Sequence, residues 1–580
     1  MRSELPRFPH ALEHLLTARW RKFSLFLLLG LLLFLGVALW RYWRSQPQVA
    51  PLPQDPFVQV YFNHSQASRY TDPYRQHKRP GDNLEKVAIE AIEAAQVSVD
   101  VAIHELRLPG IARALQDRHR AGIRVRLILE HDYTRPWSSF TPAEIRQMEP
   151  RSHDKYLDFF RFADRNHDEH LSTTEIGRTD ALHILYQSGI PWLDDTADGS
   201  RGSGLMHHKF IIIDHQIVVT GSANLTLSGT HGDFTVPESL GNANTLVKIE
   251  SSQLARLFAE EFNWMWGDGP GGKPDSKFGV QKPYRPPQQV VLPGTIVEVQ
   301  FSPTSSSRPW EQSVNGLIGK TLTEATQSID LALFVFSDQT LSDVLEVKHN
   351  QGTQIHTLID RGFAYRDYSE AFDLMGTALA AKNCRYEVNN RPWENPITTV
   401  GVPQLSPGDL LHHKFGVIDR STIIVGSQNW SQAANTVNDE ALLVIRNPTV
   451  AAHYVREFER LYQDASLGIP PQLQARIEQQ QQQCPQPATV PNPIAQSHLS
   501  SSVSEAETAT HDSTASLERR VNLNTASQTE LTSLPGIGPA LANRIIAARQ
   551  ETPFASLEDL AAVKGIGPNK VEKLRDRVTW

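Results

Sequence analysis

Two stretches of this chain repeat one arrangement of reactive side chains: "MHHKFIIIDHQIVVTGSAN" from Met206 and "LHHKFGVIDRSTIIVGSQN" from Leu411. Each reads His-x-Lys-x4-Asp-x6-Gly-Ser-x-Asn, giving His207, Lys209, Asp214, Ser222 and Asn224, then His412, Lys414, Asp419, Ser427 and Asn429. The residue types suit a phosphodiester. Such a substrate is anionic and resists attack, so a site must neutralise its non-bridging oxygens and supply both a nucleophile and a proton donor. Two lysines and two asparagines supply charge and hydrogen-bond donors. One histidine can attack phosphorus while the other protonates the leaving oxygen and then activates water.

The elements that hold these groups follow from side-chain alternation. On a strand, His207 and Lys209 share one face, while His208 and Phe210 take the other. The apolar run Ile211 to Ile213 marks a buried strand, where a polar pair is costly unless it is used or satisfied. Asp214 ends that strand, and "QIVVTGSAN" returns Ser222 and Asn224 to the neighbourhood. His412, Lys414, Asp419, Ser427 and Asn429 repeat the layout.

A longer repeat surrounds the motifs. "SVDVAIHELRLPGIARALQDRHRAGIRVRLILE" from Ser98 aligns without gaps to "SIDLALFVFSDQTLSDVLEVKHNQGTQIHTLID" from Ser328, an offset of 230 residues. Each copy reads as a buried strand, a helix, and a glycine turn into a second apolar strand. "VQVYFNHS" and "VEVQFSPT" read as matching first strands. Strands alternating with helices imply an α/β half in each copy.

This constellation resembles the phospholipase D superfamily, whose members share two such motifs. The resemblance covers about 400 residues and implies duplicated α/β sandwich halves forming one catalytic unit. It implies a covalent phosphohistidine on His207, with His412 as general acid, although the near-symmetric motifs leave the order open. Lysines carry the positive charge, so no catalytic metal is implied. Family members often place an acidic residue after the motif to orient an active histidine. Glu440 in "VNDEALLV" fits that role, and Asn244 stands at the aligned position of the first half.

The motifs are offset by 205 residues rather than 230, so the first half carries a net insertion of 25. Within it, "DRNHDEHLSTTE" sets Asp164, Asn166, Asp168, Ser172 and Glu175 at the oxygen-ligand spacings of a calcium-binding EF-hand loop, with the His170 carbonyl at position 7. Glu169 occupies the position where a glycine normally permits the sharp turn. Structural Ca2+ is the expectation, remote from catalysis.

Near the C-terminus, "LPGIGPALANRII" and "VKGIGPNKVEKL" each place Gly-Ile-Gly in a turn between helices. Exposed N–H groups at a following helix N-terminus can bind phosphate without reading bases. The pair resembles the tandem helix-hairpin-helix modules of non-specific DNA-binding proteins, and especially the DNA-binding domain of bacterial competence receptors. The resemblance implies DNA contacts by Gly536, Ile537, Gly538, Gly565, Ile566 and Gly567, with Arg544, Lys564, Lys570, Lys573 and Arg575 on adjacent backbone. Residues 521–580 hold seven Lys/Arg and six Asp/Glu, a modest charge for such a role.

The whole chain bounds these readings. Its 580 residues exceed one compact core, and 21% charged against 40% hydrophobic residues excludes wholesale disorder. A net charge of −8 requires any nucleic-acid surface to be local. "FSLFLLLGLLLFLGVALW" is uncharged from Phe23 to Trp40 and long enough to span a bilayer, with Arg19, Arg21 and Lys22 before it. No small-x-small cleavage site follows, so an uncleaved anchor is expected rather than a signal peptide. The expected order is therefore a cytoplasmic N-terminus (1–22), a transmembrane anchor (23–40), a spacer (41–56), half 1 (57–285, with the insertion at about 150–187), half 2 (286–467), a disordered linker (468–518) and the all-α helix-hairpin-helix domain (519–580). The catalytic and DNA-binding parts would then lie outside the cytoplasm. Of two cysteines, Cys384 falls in a folded half and Cys484 in the glutamine-rich linker, so a disulfide between them is not expected. The expected function is a membrane-anchored nuclease acting on DNA without sequence preference. The alternative is a phospholipase D or phosphatidyl-transferring enzyme acting on membrane phospholipid. No feature points to a protein partner.

Overall fold

The computed structural model describes residues 49–484, apart from 201–203, 382–383 and 388, then Ile494 and parts of 521–579. The expected anchor at 23–40 lies outside the described residues. Among the described residues no helix is long and apolar enough to cross a membrane. The expectation of a single-pass protein with extracytoplasmic domains is corrected on that finding.

Half 1 is built on a seven-stranded sheet. Its strands in chain order are β1 (Val58–Phe62), β2 (Ser98–Ile103), β3 (Arg124–Leu129), β4 (Trp192–Asp194), β5 (Lys209–Ile213), β6 (Ile217–Gly221) and β7 (Thr245–Glu250). They lie in the order β1-β7-β6-β5-β2-β3-β4. Half 2 has β8 (Gln288–Leu292), β9 (Thr295–Phe301), β10 (Ser328–Leu333), β11 (Gln354–Ile359), β12 (Val400–Val402), β13 (Lys414–Ile418), β14 (Thr422–Gly426), β15 (Ala441–Arg446) and β16 (Ser466–Leu467). Its order, β8-β9-β15-β14-β13-β10-β11-β12-β16, repeats the first sheet with one strand added at each edge. The repeated strands pair in parallel, β2 with β3 and β10 with β11, as strand-helix-strand units require.

Burial follows composition. β2, β5, β10 and β13 have almost no exposed residue, because helices cover one face of each sheet and the other faces the second half. The helices Ser252–Trp266 and Pro448–Gln463 close the two halves. Phe258, Phe262, Tyr454 and Phe458 on them join Phe62, Phe210, Phe301 and Phe415 in one apolar core drawn from both sheets. Asn447 caps the second of these helices by accepting the Thr449 and Val450 N–H groups, a contact worth about 1 kcal/mol.

One expectation about the end of half 2 is overturned. The glutamine-rich run is not all linker: Pro471–Gln483 forms a helix whose Ile477 is buried against Phe372 and Leu379. Gln480 Nε2 donates to the Ala380 carbonyl, and Cys484 at the helix end is disulfide-bonded to Cys384, with Cα atoms 5.2 Å apart. Composition alone hid this, because two apolar residues, Leu473 and Ile477, suffice to dock an otherwise polar helix when a covalent bond sits at its end.

The C-terminal unit holds the helices Gln528–Thr532 and Pro539–Glu551, with a short parallel pairing of Val521–Asn522 and Val578–Thr579. Leu523, Leu531, Leu541, Ile545, Leu560 and Leu574 form its core.

Candidate active site at the meeting of the two halves

The two motifs face each other where the halves interlock. The His207 N–H donates to the Asp439 carbonyl at 3.0 Å, and the His412 N–H donates to the Ala243 carbonyl at 3.1 Å. Each histidine is thus held by the backbone of the opposite half, beside the bridges Met206–Asp439 and Ala243–Leu411.

The side chains cross in the same way. His207 Nδ1 lies 2.7 Å from Glu440 Oε2, and His412 Nδ1 lies 2.9 Å from Asn244 Oδ1. The residue following each motif therefore orients the histidine of the other motif. Asn244 cannot turn over, because its Nδ2 donates to the Gly229 carbonyl and its Oδ1 accepts from Ser222 Oγ at 2.8 Å. Ser427 holds Glu440 correspondingly and accepts the Ala441 N–H at 3.0 Å. Ser222 and Ser427 are fully buried, so they position Asn244 and Glu440 rather than meet a substrate. Since Glu440 and Asn244 Oδ1 accept at Nδ1, both rings carry their proton there and leave Nε2 free.

Lys209 and Lys414 are buried, and each Nζ donates at 2.8 Å to the carbonyl of the histidine two residues before it. Burial lowers Lys209 to about 7 against the raising pull of Glu440. Burial and the neighbouring Lys209 hold Lys414 well below the ordinary lysine range. Burial and the two lysines likewise depress His207 and His412, while burial raises Glu440 to about 7. Four groups that would be cationic crowd one dry space, so the site is poised for an anion. Asn224 pairs with His104, whose ring centroid lies 4.6 Å from that of His207, and Asn429 has a buried Oδ1 that makes no hydrogen bond.

The glycine of each motif has a close-packing reason. A Cβ on Gly221 would lie 2.2 Å from the Thr245 carbonyl oxygen, and one on Gly426 would lie 2.1 Å from that of Ala441. Only glycine lets these strands approach closely enough to bring Asn244 and Glu440 to the site.

Asp214 and Asp419 are corrections to the candidate catalytic set. Asp214 accepts the N–H groups of Gln96, Val97 and Ser98, and Asp419 those of Thr326, Gln327 and Ser328. They tie down the entry to β2 and β10, a strand of about 15 Å away from the reactive histidines. His208 and His413 point away from the site, as alternation requires, onto buried Glu261 at 3.1 Å and Glu457 at 3.0 Å.

Two acidic residues of the site were not singled out from the sequence. Glu130 Oε2 accepts the Met206 N–H at 2.6 Å, and Asp360 Oδ2 accepts the Leu411 N–H at 2.9 Å, fixing the residue before each histidine. The signal was present, since both end the second repeated strand at aligned positions, "LILE" and "TLID".

The insertion folds as helix, loop and helix, with Pro150–Ala163 before the loop and Thr173–Thr179 after it. Asp164 accepts the N–H groups of Asp168 and Glu169, Asn166 that of Asp168, and Asp168 that of His170. Glu175 accepts from Arg165 and Ser172. Glu169 adopts φ +62° and supplies the left-handed turn without a glycine.

In the C-terminal unit, Ile537 and Ile566 are buried in the core and Arg544 is exposed on its helix. Gly538 is described and exposed just before that helix. Gly536, Lys564, Gly565, Gly567, Lys570, Lys573 and Arg575 lie outside the described residues.

Comparison with known proteins matches residues 88–266 and 318–462 to the family model "Cardiolipin synthase, PLD-like domain", and residues 517–579 to the helix-hairpin-helix motif. The mitochondrial cardiolipin hydrolase of Chlamydomonas reinhardtii is 24% identical over 165 residues, 28% of this chain and 60% of that protein. Its Xenopus laevis counterpart is 25% identical over 187 residues, 32% of this chain and 79% of that protein. The ComE operon protein 1 of Bacillus subtilis is 43% identical over 60 residues, 10% of this chain and 29% of that protein. Among solved structures, the phospholipase D family member Nuc from Salmonella typhimurium is 21% identical, covering 30% of this chain and all but 1% of its own, with a TM-score of 0.24. The phosphatidylserine synthase of Haemophilus influenzae Rd KW20 is 13% identical, covering 76% of this chain and 98% of its own, with a TM-score of 0.44.

Proposed function

This chain belongs to the PLD-like family, whose members are phosphodiester hydrolases, and from that premise we propose that it is a nuclease acting on DNA through a phosphohistidine. The observation that carries the choice of polymer is the helix-hairpin-helix module in the same chain, similar to part of ComE operon protein 1. A DNA-binding module tethered to the catalytic unit raises the local substrate concentration at the site.

The crossed pairing supports the division of labour. His207 Nε2 attacks phosphorus, forming the N–P bond as the P–O bond to the leaving oxygen breaks, and His412 gives its proton to that oxygen. Water then attacks phosphorus, His412 takes its proton, and the N–P bond breaks. The Glu440 carboxylate stabilises positive charge on the His207 ring, in its imidazolium and phosphorylated forms. The neutral Asn244 amide fixes the His412 ring without holding its proton, as an acid requires. A bound phosphodiester offsets the repulsion from Lys209 and Lys414, so His412 gains its proton as substrate enters.

A phospholipid hydrolase is the second reading, favoured by the cardiolipin hydrolases among the relatives. The full-length chain, with H207A and H412A as controls, is to be assayed on single-stranded DNA, duplex DNA and cardiolipin vesicles. Histidine-dependent DNA cleavage supports the nuclease; cardiolipin turnover without DNA cleavage replaces it.

For the inserted loop we propose structural calcium. Asp164, Asn166, Asp168, the His170 carbonyl, Ser172 and Glu175 supply the oxygens, and Glu169 already makes the turn the loop needs. The ion would brace the two helices and take no part in the chemistry.

A further inference from the structure

Two ring pairs flank the reactive histidines at aligned positions. His104 follows β2 and Tyr133 follows β3; Phe334 and Phe363, each 230 residues later, follow β10 and β11. The His104 ring centroid lies 4.6 Å from His207 and 4.9 Å from Tyr133. Phe334 lies 4.8 Å from His412 and 4.6 Å from Phe363. The reactive site therefore sits between two pairs of rings related by the duplication.

Packing alone does not account for these rings. Tyr133, Phe334 and Phe363 are only partly buried, although they stand at the ends of the most buried strands of the molecule. His104 is 7% exposed; one ring nitrogen pairs with the Asn224 side chain, and the other makes no hydrogen bond. Burying that nitrogen without a partner is costly, so the arrangement calls for a ligand with a polar group on that side. Lysine amino groups lie over the rings as well: Lys414 Nζ is 4.8 Å from the Phe334 centroid and Lys155 Nζ 5.3 Å from that of Tyr133. Aromatic faces with amino groups beside an anion site match unpaired nucleotides, whose bases stack while the backbone carries charge. Stacked, paired bases of a duplex offer no such faces.

Resting on the nuclease reading, we infer that the site takes single-stranded nucleic acid, holding the base on either side of the scissile phosphate against one ring pair each. The two subsites differ. Phe334 and Phe363, beside the proton donor His412, hold the leaving nucleotide by stacking alone. His104 and Tyr133, beside His207, hold the other nucleotide by stacking and by one hydrogen bond to the free ring nitrogen of His104.

The test uses the full-length chain with F363A, Y133A and H104F. H104F places in one half the residue that Phe334 supplies in the other, so it keeps a packed ring. Substrates are one oligonucleotide as a single strand and as a duplex, together with methyl p-nitrophenyl phosphate, which has no base. The unaltered chain is expected to cleave the single strand at least tenfold faster than the duplex. F363A and Y133A are expected to raise KM for the strand about tenfold, and to lower the ratio of strand to small-diester kcat/KM by a like factor. H104F is expected to lower that ratio without loss of folding by circular dichroism. Equal losses on strand and small diester overturn the inference, because the rings then serve only to pack the histidines. Equal cleavage of strand and duplex with unchanged KM in the variants overturns it while leaving the nuclease reading intact. Absence of any nucleic-acid cleavage removes the nuclease reading itself.

Discussion

Glu440 of the second half orients His207 of the first, at 2.7 Å across a separation of 233 residues. The reciprocal contact, Asn244 to His412 at 2.9 Å, is an amide rather than a carboxylate. This single chemical difference breaks the symmetry of the duplicated site, and the proposed mechanism uses it to divide nucleophile from acid.

Glu440→Gln is therefore expected to lower kcat by about 10–100-fold, more than Asn244→Ala does. With an activated p-nitrophenyl diester, which needs no proton donor to leave, His412→Ala is expected to accumulate an acid-labile phosphoryl adduct on His207 by mass spectrometry. An adduct on His412 in His207→Ala instead would reverse the assignment.

The pH dependence follows from two opposed titrations. Lys209, lowered to about 7 by burial, carries its charge below that pH and loses it as pH rises. Glu440, raised to about 7 by burial, is a carboxylate above that pH and loses its charge as pH falls. The free enzyme's kcat/KM is expected to peak near neutrality and fall on both sides, and Glu440→Gln to abolish the acid limb. A profile flat from about pH 5.5 to 8.5 would sink this account.

Glu261 is the hub of a buried charge cluster: it meets His208 at 3.1 Å, Arg285 at 2.9 Å and Lys282, and Lys282 reaches Asp439 at 2.6 Å. Although burial would raise it, Arg285 and Lys282 hold its carboxyl well below the ordinary range. Glu261→Gln leaves Lys282 and Arg285 undercompensated and is expected to destabilise the chain by about 3–5 kcal/mol, measured by urea denaturation. A change within about 0.5 kcal/mol would show the cluster to be dispensable.

The Cys384–Cys484 bond closes a separation of 100 residues. Cys384→Ser/Cys484→Ser is expected to lose about 2–4 kcal/mol, and a reductant is expected to lower the Tm of the unaltered chain but not that of the variant. Equal reductant effects on both would contradict the bond's role.

Calcium is expected to raise Tm, and Asp164→Asn to abolish the rise, with kcat unaffected by EDTA. A Tm indifferent to calcium at millimolar concentration would remove the ion from the loop.

Spacing and alternation carried much of this protein. Duplication, sheet class, the separation of His207 and His412 from His208 and His413, and the pairing of motifs are local or periodic properties, and a linear chain displays them. Other features depend on how distant segments dock. Asp214 and Asp419 look catalytic by spacing, but the strand between lysine and aspartate carries them to the opposite end of the sheet. Glu440 looks like a neighbour of His412, yet the halves pack so that it meets His207. Cys484 sits in a run that reads as linker until Ile477 docks its helix and brings Cys384 within bonding range. Which residues could do chemistry was written in side-chain type and period; which partner each one meets was decided by contacts between segments about a hundred or more residues apart, where chain order carries no distance information.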